Sequence, residues 1–516
     1  MLTYDLTKRG EQPLYEYLYE SVRADIVSGA LRAGERLPSK RKLAQHLSVS
    51  VITVEEAYSQ LIAEGYIRSV ERRGYYVNSI AVTPEGRDGR TPVRELTEAG
   101  RRAAGVHVEQ GQDLDALLPA VCPTGKSANS KGAPDSDDDT PIAIDLTGKQ
   151  PTQGLFPYSR WAFHVRKVLT DADEKALVAE SGPFGSLALR HAIADFLQGY
   201  RGMRVDPGNI VVGAGSQVLY QLIVQLIVRD RRYALENPGY GRLARIYQAN
   251  DVSVAPIPLD EQGIGMDALR ASGASVAHVM PTHQYPTGQI TSIARRYELL
   301  AWASQSDDRY IIEDDHDSEL QFSGRPVPSL QSIDAQQKVI YLNTFAKSLG
   351  PAFRLSYMVL PDHLARQFRE HLGFYSCTAN AIDQLALARF IDSGEYERHI
   401  NRLRTHFRAN ATDLGQALKQ AELTDLALEN AFAGSHCLLR LEGPASARAF
   451  AAAARKEGVL IRPLEDFLIG RPNMPDPQRA AYLESHLVLD YGALDETETD
   501  RCAELLQRAR QHCWKP

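Results

Sequence analysis

Cysteine is scarce and unpatterned in this chain of 516 residues. Cys122, Cys377, Cys437, Cys502 and Cys513 are odd in number, and no two stand in a C-x-x-C pair. That argues against a disulfide framework or a cysteine-built zinc site, no metal is expected, and a reducing compartment fits. No run of 18 or more apolar residues occurs, so no membrane span is expected. Met1–Asp5 lacks the basic-then-apolar layout of a signal peptide, which points to a cytoplasmic protein. No internal repeat is found. A strong positive charge is also missing. The formal net charge is -7, and this at first argues against a nucleic-acid partner. The first 80 residues, however, hold 11 Lys and Arg against 10 Asp and Glu, or +1, which leaves -8 for the rest.

What is present is enough hydrophobic residue (43%) and charge (24%) for a soluble globular chain. The length calls for two or three domains. Over 11–78, Leu14, Leu18, Val22 and Ile26 recur every four residues, the buried face of a first helix. Gly29 and Gly34 bracket a turn. Ser39 is placed to cap a short second helix, Lys40–Leu47. Ser48-Val49-Ser50 forms a turn, and Val54, Tyr58, Leu61 and Ile62 predict the inward stripe of a third helix ending at Gly65. Tyr66–Val70 and Tyr75–Val77 read as a hairpin with a basic tip at Arg72 and Arg73. Helix, helix–turn–helix and hairpin make a winged helix, whose third helix enters the major groove of double-stranded DNA. Lys40, Arg41, Ser50, Thr53, Arg72 and Arg73 are the candidate DNA contacts. Three amphipathic helices and a hairpin also build small domains that never touch DNA. The basic residues are clustered where phosphates would lie, as solvated charges need not be.

Residues 79–141 change character. They are rich in Gly, Pro, Ser and Asp, carry an acidic cluster at Asp135, Asp137, Asp138 and Asp139, and predict a flexible linker with one short helix near Val93–Ala104. From 142 to 516 apolar runs alternate with helical stretches: Ile210–Val212, Val276–Met280, Tyr310–Ile312 and Val339–Leu342. That alternation predicts an α/β fold with a parallel sheet covered on both faces.

Ligands of such sheets bind at the carboxyl ends of the strands, and the unusual residues of this chain fall there. Gly213-Ala214-Gly215-Ser216-Gln217 leads into a helix, and small residues at a helix N-terminus suit a phosphate. Taken alone, glycines at a strand–helix turn are commonplace. Tyr240, in Asn237-Pro238-Gly239-Tyr240, packs a core edge or stacks on a flat ring. The acidic run Glu313-Asp314-Asp315-His316-Asp317-Ser318-Glu319 reads as a solvated loop, a metal site, or the source of one carboxylate that keeps a pyridine nitrogen protonated. Lys347 follows Val339–Leu342 among small and hydroxylated residues, with Arg354 seven positions on. A lysine so placed suits a Schiff base with a phosphorylated aldehyde, and Arg354 suits its phosphate. Together these residues point to pyridoxal 5'-phosphate.

Two known families are resembled, one after the other. Pro38-Ser39-Lys40-Arg41-Lys42-Leu43-Ala44, Ala57-Tyr58-Ser59-Gln60-Leu61 and Glu64-Gly65-Tyr66 resemble the winged helix of GntR regulators. Pro281–Gly288, Ile312–Glu319 and Thr344–Leu349 resemble fold-type I aminotransferases. The fusion is similar to the MocR subfamily of GntR-type regulators. The resemblance implies a large domain (about 170–358), a smaller C-terminal α+β part (about 359–516), and a head-to-tail homodimer with each DNA-binding domain on its partner. It implies Lys347 as the aldimine lysine, Asp314 on the pyridine nitrogen, Tyr240 on the ring, and Gly215, Ser216, Gln217 and Arg354 at the phosphate. Arg242 falls where a relative's arginine binds an effector carboxylate.

The departures matter as much. Tyr285-Pro286-Thr287-Gly288 stands where aminotransferases have Asn-Pro-x-Gly, and His316 where a tyrosine is often found, so Tyr285 and His316 border the cofactor's phenolic oxygen with its partner unassigned. The C-terminal arginine that grips a substrate carboxylate is missing from Leu487–Gly492. Val51 and Glu55 occupy positions where some GntR relatives have arginine. These residues imply a regulator that senses an amino compound by aldimine exchange at Lys347. The alternative is an aminotransferase that carries a DNA-binding domain, and slow half-reactions are compatible with either.

Overall fold

A computed structural model of the protein describes Tyr4, residues 13–78 and residues 141–514, less the short stretches 28–29, 48, 64–65, 71–73, 149–153, 172–176, 228–229, 322–326, 432–433, 471–476 and 493. The expected hairpin tip with Arg72 and Arg73, the expected helix near Val93–Ala104 and the acidic cluster lie outside the described residues.

The N-terminal elements are α1 (Leu14–Val27), α2 (Lys40–Leu47), α3 (Val51–Ala63), β1 (Ile67–Val70) and β2 (Gly74–Val77). β1 and β2 pair antiparallel, with Ile67 opposite Val77. Lys42 N–H donates to Ser39 Oγ (3.3 Å) and Thr53 N–H to Ser50 Oγ (3.0 Å), so each serine caps the helix it precedes. Leu18, Val22, Ile26, Leu43, Val54, Ala57, Tyr58 and Leu61 form the buried core. Ile62 is not part of it and is 37% exposed. The stripe closes on Ala57 instead, because 54, 57, 58 and 61 hold one helix face and 62 turns past its edge. Ile293 and Tyr297 of the helix Ile293–Ser304 join this core.

From residue 141 onward, β3 (Ile144–Asp145) leads into the large α/β part. Its sheet holds β4 (Ile210–Gly213), β5 (Arg232–Asn237), β6 (Ser253–Asp260), β7 (Gly263–Ile264), β8 (Val276–Val279), β9 (Tyr310–Asp314), β10 (Val339–Thr344) and β11 (Ser356–Val359). The order is β4-β11-β10-β9-β8-β5-β6-β7. The sheet is mixed, not wholly parallel. β5, β6, β8, β9 and β10 run parallel, while β11 is antiparallel to both β10 and β4. Two antiparallel steps cancel, so β4 points the same way as the parallel set. The carboxyl ends of β4, β5, β8, β9 and β10 therefore share one edge.

The smaller part is built on β12 (Leu426–Glu429), β13 (His436–Leu441), β14 (Val459–Leu460), β15 (Arg462–Pro463) and β16 (His486–Asp490). β12-β13-β16-β15 form an antiparallel sheet, and β14 pairs in parallel with β3. Ile144 and Asp145 are thus tied to the C-terminal part. A 26-residue helix, Glu395–Gln420, contributes Leu403, Phe407 and Leu414 to the main core.

Candidate cofactor-binding site

The shared strand edge opens onto a cavity of about 920 Å³, lined by Ser216, Tyr240, Tyr285, Asp314, His316 and Lys347 among others. Lys347 lies in the turn after β10. Thr344 braces that turn, its hydroxyl accepting from Ala346 N–H (3.2 Å) and Ser356 Oγ–H (2.8 Å). Ser348 is held from the other side by His399 Nε2 on its carbonyl (2.6 Å) and by the Tyr396 hydroxyl on its Oγ (3.0 Å). Both clamps come from the long helix. Lys347 Nζ points to Asp490 Oδ2 (3.2 Å) and Ser435 Oγ (3.4 Å). The Asp490 charge raises the lysine's pKa above its ordinary value, outweighing burial, so the resting group is an ammonium.

Asp314 ends β9 fully buried. Tyr220 O–H donates to its Oδ2 (2.6 Å), His278 Nε2 lies 3.3 Å away, and the Tyr247 hydroxyl meets His278 Nδ1 (2.7 Å). Burial alone would raise the Asp314 pKa. The hydrogen bonds from His278 and Tyr220 and the nearby imidazoles outweigh it, so the group is lowered and stays ionised. Sequence reading missed this Tyr247–His278–Asp314–Tyr220 chain. Its one local signal is Tyr220, a single helical turn after Ser216.

Gly215 adopts φ +89°, and a Cβ there would lie 2.5 Å from Arg354 Nη2. Only glycine lets that guanidinium lean over the N-terminus of the helix Ser216–Ile227, where Gln217 is the second residue. Arg354 Nη2 also donates to the Ala214 carbonyl (3.3 Å). The Tyr240 and Tyr285 rings meet edge to face at 5.9 Å. Arg242 is exposed, with its guanidinium 6.0 Å from the Tyr240 ring centre.

The acidic run is neither solvated nor uniform. Glu313 accepts from the N–H groups of Leu330 and Gln331 (2.8 and 2.9 Å). Asp315 accepts from Arg201 (2.7 Å) and Tyr341 (2.8 Å), and Asp317 pairs with His283 Nδ1 (2.7 Å). Both ring nitrogens of buried His436 lack a hydrogen-bond partner among the described residues, and its ring lies against His283, tilted by 31° with centroids 3.9 Å apart. Glu319 is buried, and neither carboxyl oxygen has a partner among the described residues. Burial, with the charges of Asp317 and Asp315 adding to it, pushes its pKa up to about 8.

An acid raised in the folded state keeps its proton where the unfolded chain releases it, so its contribution falls as pH rises from about 4.5 toward 8. Glu319→Gln removes that loss. The variant should match the wild type in thermal unfolding near pH 5 and exceed it by several degrees near pH 8, roughly a few kcal/mol. An equal difference at both pH values would refute the assignment.

In the winged helix, Arg41 is exposed, whereas Lys40 is engaged. Its ammonium pairs with Glu55 of α3 at 2.6 Å and lies 5.8 Å from the Tyr75 ring centre. Lys40 is therefore a weaker phosphate contact than its charge suggested. Ser50 and Thr53 join hydroxyls (2.8 Å) at the start of α3.

The fold and these two sites define a class: a winged helix joined to an aminotransferase-like domain. Residues 14–77 match the bacterial regulatory proteins of the gntR family, and residues 157–483 match aminotransferase class I and II. An uncharacterized HTH-type transcriptional regulator, YhdI of Bacillus subtilis, is 34% identical over 99% of this chain and 98% of its own. The pyridoxine biosynthesis transcriptional regulator PdxR of Corynebacterium glutamicum is 30% identical, covering 83% of each chain. The probable rhizopine catabolism regulatory protein MocR of Rhizobium meliloti is 29% identical over 95% of this chain and 92% of its own. The multiple substrate aminotransferase of Thermococcus profundus superposes with a TM-score of 0.62 at 24% identity, over 72% of this chain and 92% of that one, which shows the fold. The chain belongs to the MocR subfamily of GntR-type transcriptional regulators. No helix among the described residues is long and apolar enough to cross a membrane.

Proposed function

We propose that this protein binds pyridoxal 5'-phosphate and uses it to sense an amino compound, changing its grip on operator DNA in response. The observation that carries the reading is one cavity in which Lys347 and a buried, ionised Asp314 stand at neighbouring strand ends. The residues present fit such a group. Gly215, Ser216 and Gln217 offer a helix N-terminus, and Arg354 a guanidinium, for a phosphate. Asp314 supplies the negative charge that would keep a pyridine nitrogen protonated, and Tyr240 offers a ring face. When bound, the cofactor would supply an aldehyde carbon that holds Lys347 and exchanges it for an incoming amine.

The chain's own residues then divide the work. Thr344, Ser348 and the long helix hold Lys347 in place. Release of Lys347 would unload the turn that leads into β11 and the helix behind it, giving two arrangements for an effector to bias. We further propose that the protein acts as a head-to-tail homodimer, with Arg41, Ser50 and Thr53 meeting DNA and Arg242 near the effector. The missing arginine in Leu487–Gly492 supports sensing over efficient turnover.

The test uses DNA selected from a random pool by the wild type. Operator affinity is measured for wild type and Lys347→Ala, each with and without pyridoxal phosphate. The wild type should respond to cofactor and amine by about tenfold, and Lys347→Ala not at all. Identical behaviour in all four samples would remove the sensor role.

A further inference from the structure

Asp490 has no task in the reading above, yet it is the closest charged neighbour of Lys347. Its Oδ2 lies 3.2 Å from Nζ, and its side chain is 13% exposed on the cavity wall. The carboxylate is fixed. Gly492 N–H donates to Oδ1 (3.0 Å), Ser435 Oγ lies 3.4 Å from Oδ2, and the Asp490 backbone N–H donates to the Leu146 carbonyl (2.9 Å). Gly148 closes over it at φ +72°, where a Cβ would come within 2.6 Å of Oδ2. The site is thus built around this carboxylate rather than merely tolerating it.

We propose that Asp490 recognises the reacting nitrogen of the effector, and that the effector is a cationic primary amine with no carboxylate on its amine-bearing carbon. This rests on the cofactor-sensor reading. Once Lys347 is held by the cofactor it no longer presents a full ammonium, and Asp490 becomes a largely buried carboxylate in need of a cation. An incoming ammonium meets that need. With the cofactor bound, Asp490 would take a proton from that ammonium, which frees the nitrogen to replace Nζ on the cofactor carbon. As the new carbon–nitrogen bond forms and the bond to Nζ breaks, the three N–H protons of the incoming amine would all pass to Nζ, relayed through Asp490. Asp490 is left paired with the lysine ammonium as the structure has it, and no oxidant or reductant is used.

A carboxylate on the amine-bearing carbon works against this. It would bring a like charge toward Asp490, whose side chain is only 13% exposed. The cavity's other cationic side chain, Arg462, does not offset that. It sits on β15 opposite Val488, stacked 4.2 Å from the Phe467 ring centre and 4.0 Å from Asp466. From there it suits an acidic or polar group farther along the effector.

The experiment titrates cofactor-loaded full-length protein with matched pairs: L-lysine against 1,5-diaminopentane, and L-phenylalanine against 2-phenylethylamine. The readouts are the cofactor absorbance and the release of selected DNA. The decarboxylated partner of each pair should half-saturate at a concentration at least tenfold lower. Asp490→Asn should weaken the amines by tenfold or more and erase the preference. Amino acids binding as well as their amines in the wild type would overturn the proposal, and so would a preference that survives Asp490→Asn. Should the variant fail to load, the wild-type pairs still decide. A wild type that never develops a cofactor band would sink the sensor reading itself, which is a different result from a band that forms without the preference.

Discussion

Replacing Asp314 with asparagine is expected to weaken pyridoxal phosphate binding by about two to three orders of magnitude. The carboxylate is fully buried and still ionised, because Tyr220 and His278 hold it by hydrogen bonds and Tyr247 fixes the imidazole. Such a charge is costly unless a cation answers it, and a protonated pyridine does so when the cofactor is bound. Asparagine keeps the shape and accepts from Tyr220, so the empty protein should melt near the wild-type temperature. Alanine would in addition strand the Tyr220 hydroxyl and the His278 ring, costing about 1–3 kcal/mol for each unpaired group. The pair of variants separates fold from chemistry. Titration followed by cofactor absorbance measures the affinity and thermal unfolding the fold. Wild-type affinity in Asp314→Asn would show that the carboxylate has some other purpose.

Where sequence was enough, the signal was local. α1, α2, α3 and the hairpin follow from short-range periodicity and, for α2, from the serine that caps it. Asp314 stood out because it ends an apolar strand and Lys347 because it follows one closely, and the structure brings both to one cavity. What escaped was long-range. Tyr220 is 94 residues from Asp314, and Asp490 is 143 from Lys347. Nothing in either neighbourhood announces the other, and only strand order and register bring them together. β11 was missed because the four residues of Ser356–Val359 carry too little pattern, and without it the antiparallel pairing of β4 could not be seen. Lys40 looked free because its partner Glu55 lies on the next helix, across the turn. Ile62 fell out of the core through helix geometry alone.

The DNA-binding end should fail independently of the cofactor end, and Tyr58 is where to show it. It sits on α3, and its side chain is fully buried. It meets Tyr75 of the wing edge to face at 5.0 Å, and its hydroxyl donates to the Pro38 carbonyl (3.0 Å) just before α2. One side chain therefore ties together α3, the turn that precedes α2 and the wing. Tyr58→Ala removes the ring and leaves a cavity, at about 3–5 kcal/mol. A domain of some 65 residues has little more stability than that to lose. Operator binding should fall below detection, with an early transition lost from the melting curve. The cofactor band should persist, because none of the cavity-lining residues belongs to this core. Tyr58→Phe keeps the packing and loses one hydrogen bond, so it should cost about 1 kcal/mol and leave DNA binding largely intact. If Tyr58→Ala binds selected DNA as the wild type does, the winged helix is not held together through this ring. If it binds no DNA and no cofactor, the two parts do not fold independently, and Ile293 and Tyr297, which belong to the same core, are the place to look for the coupling.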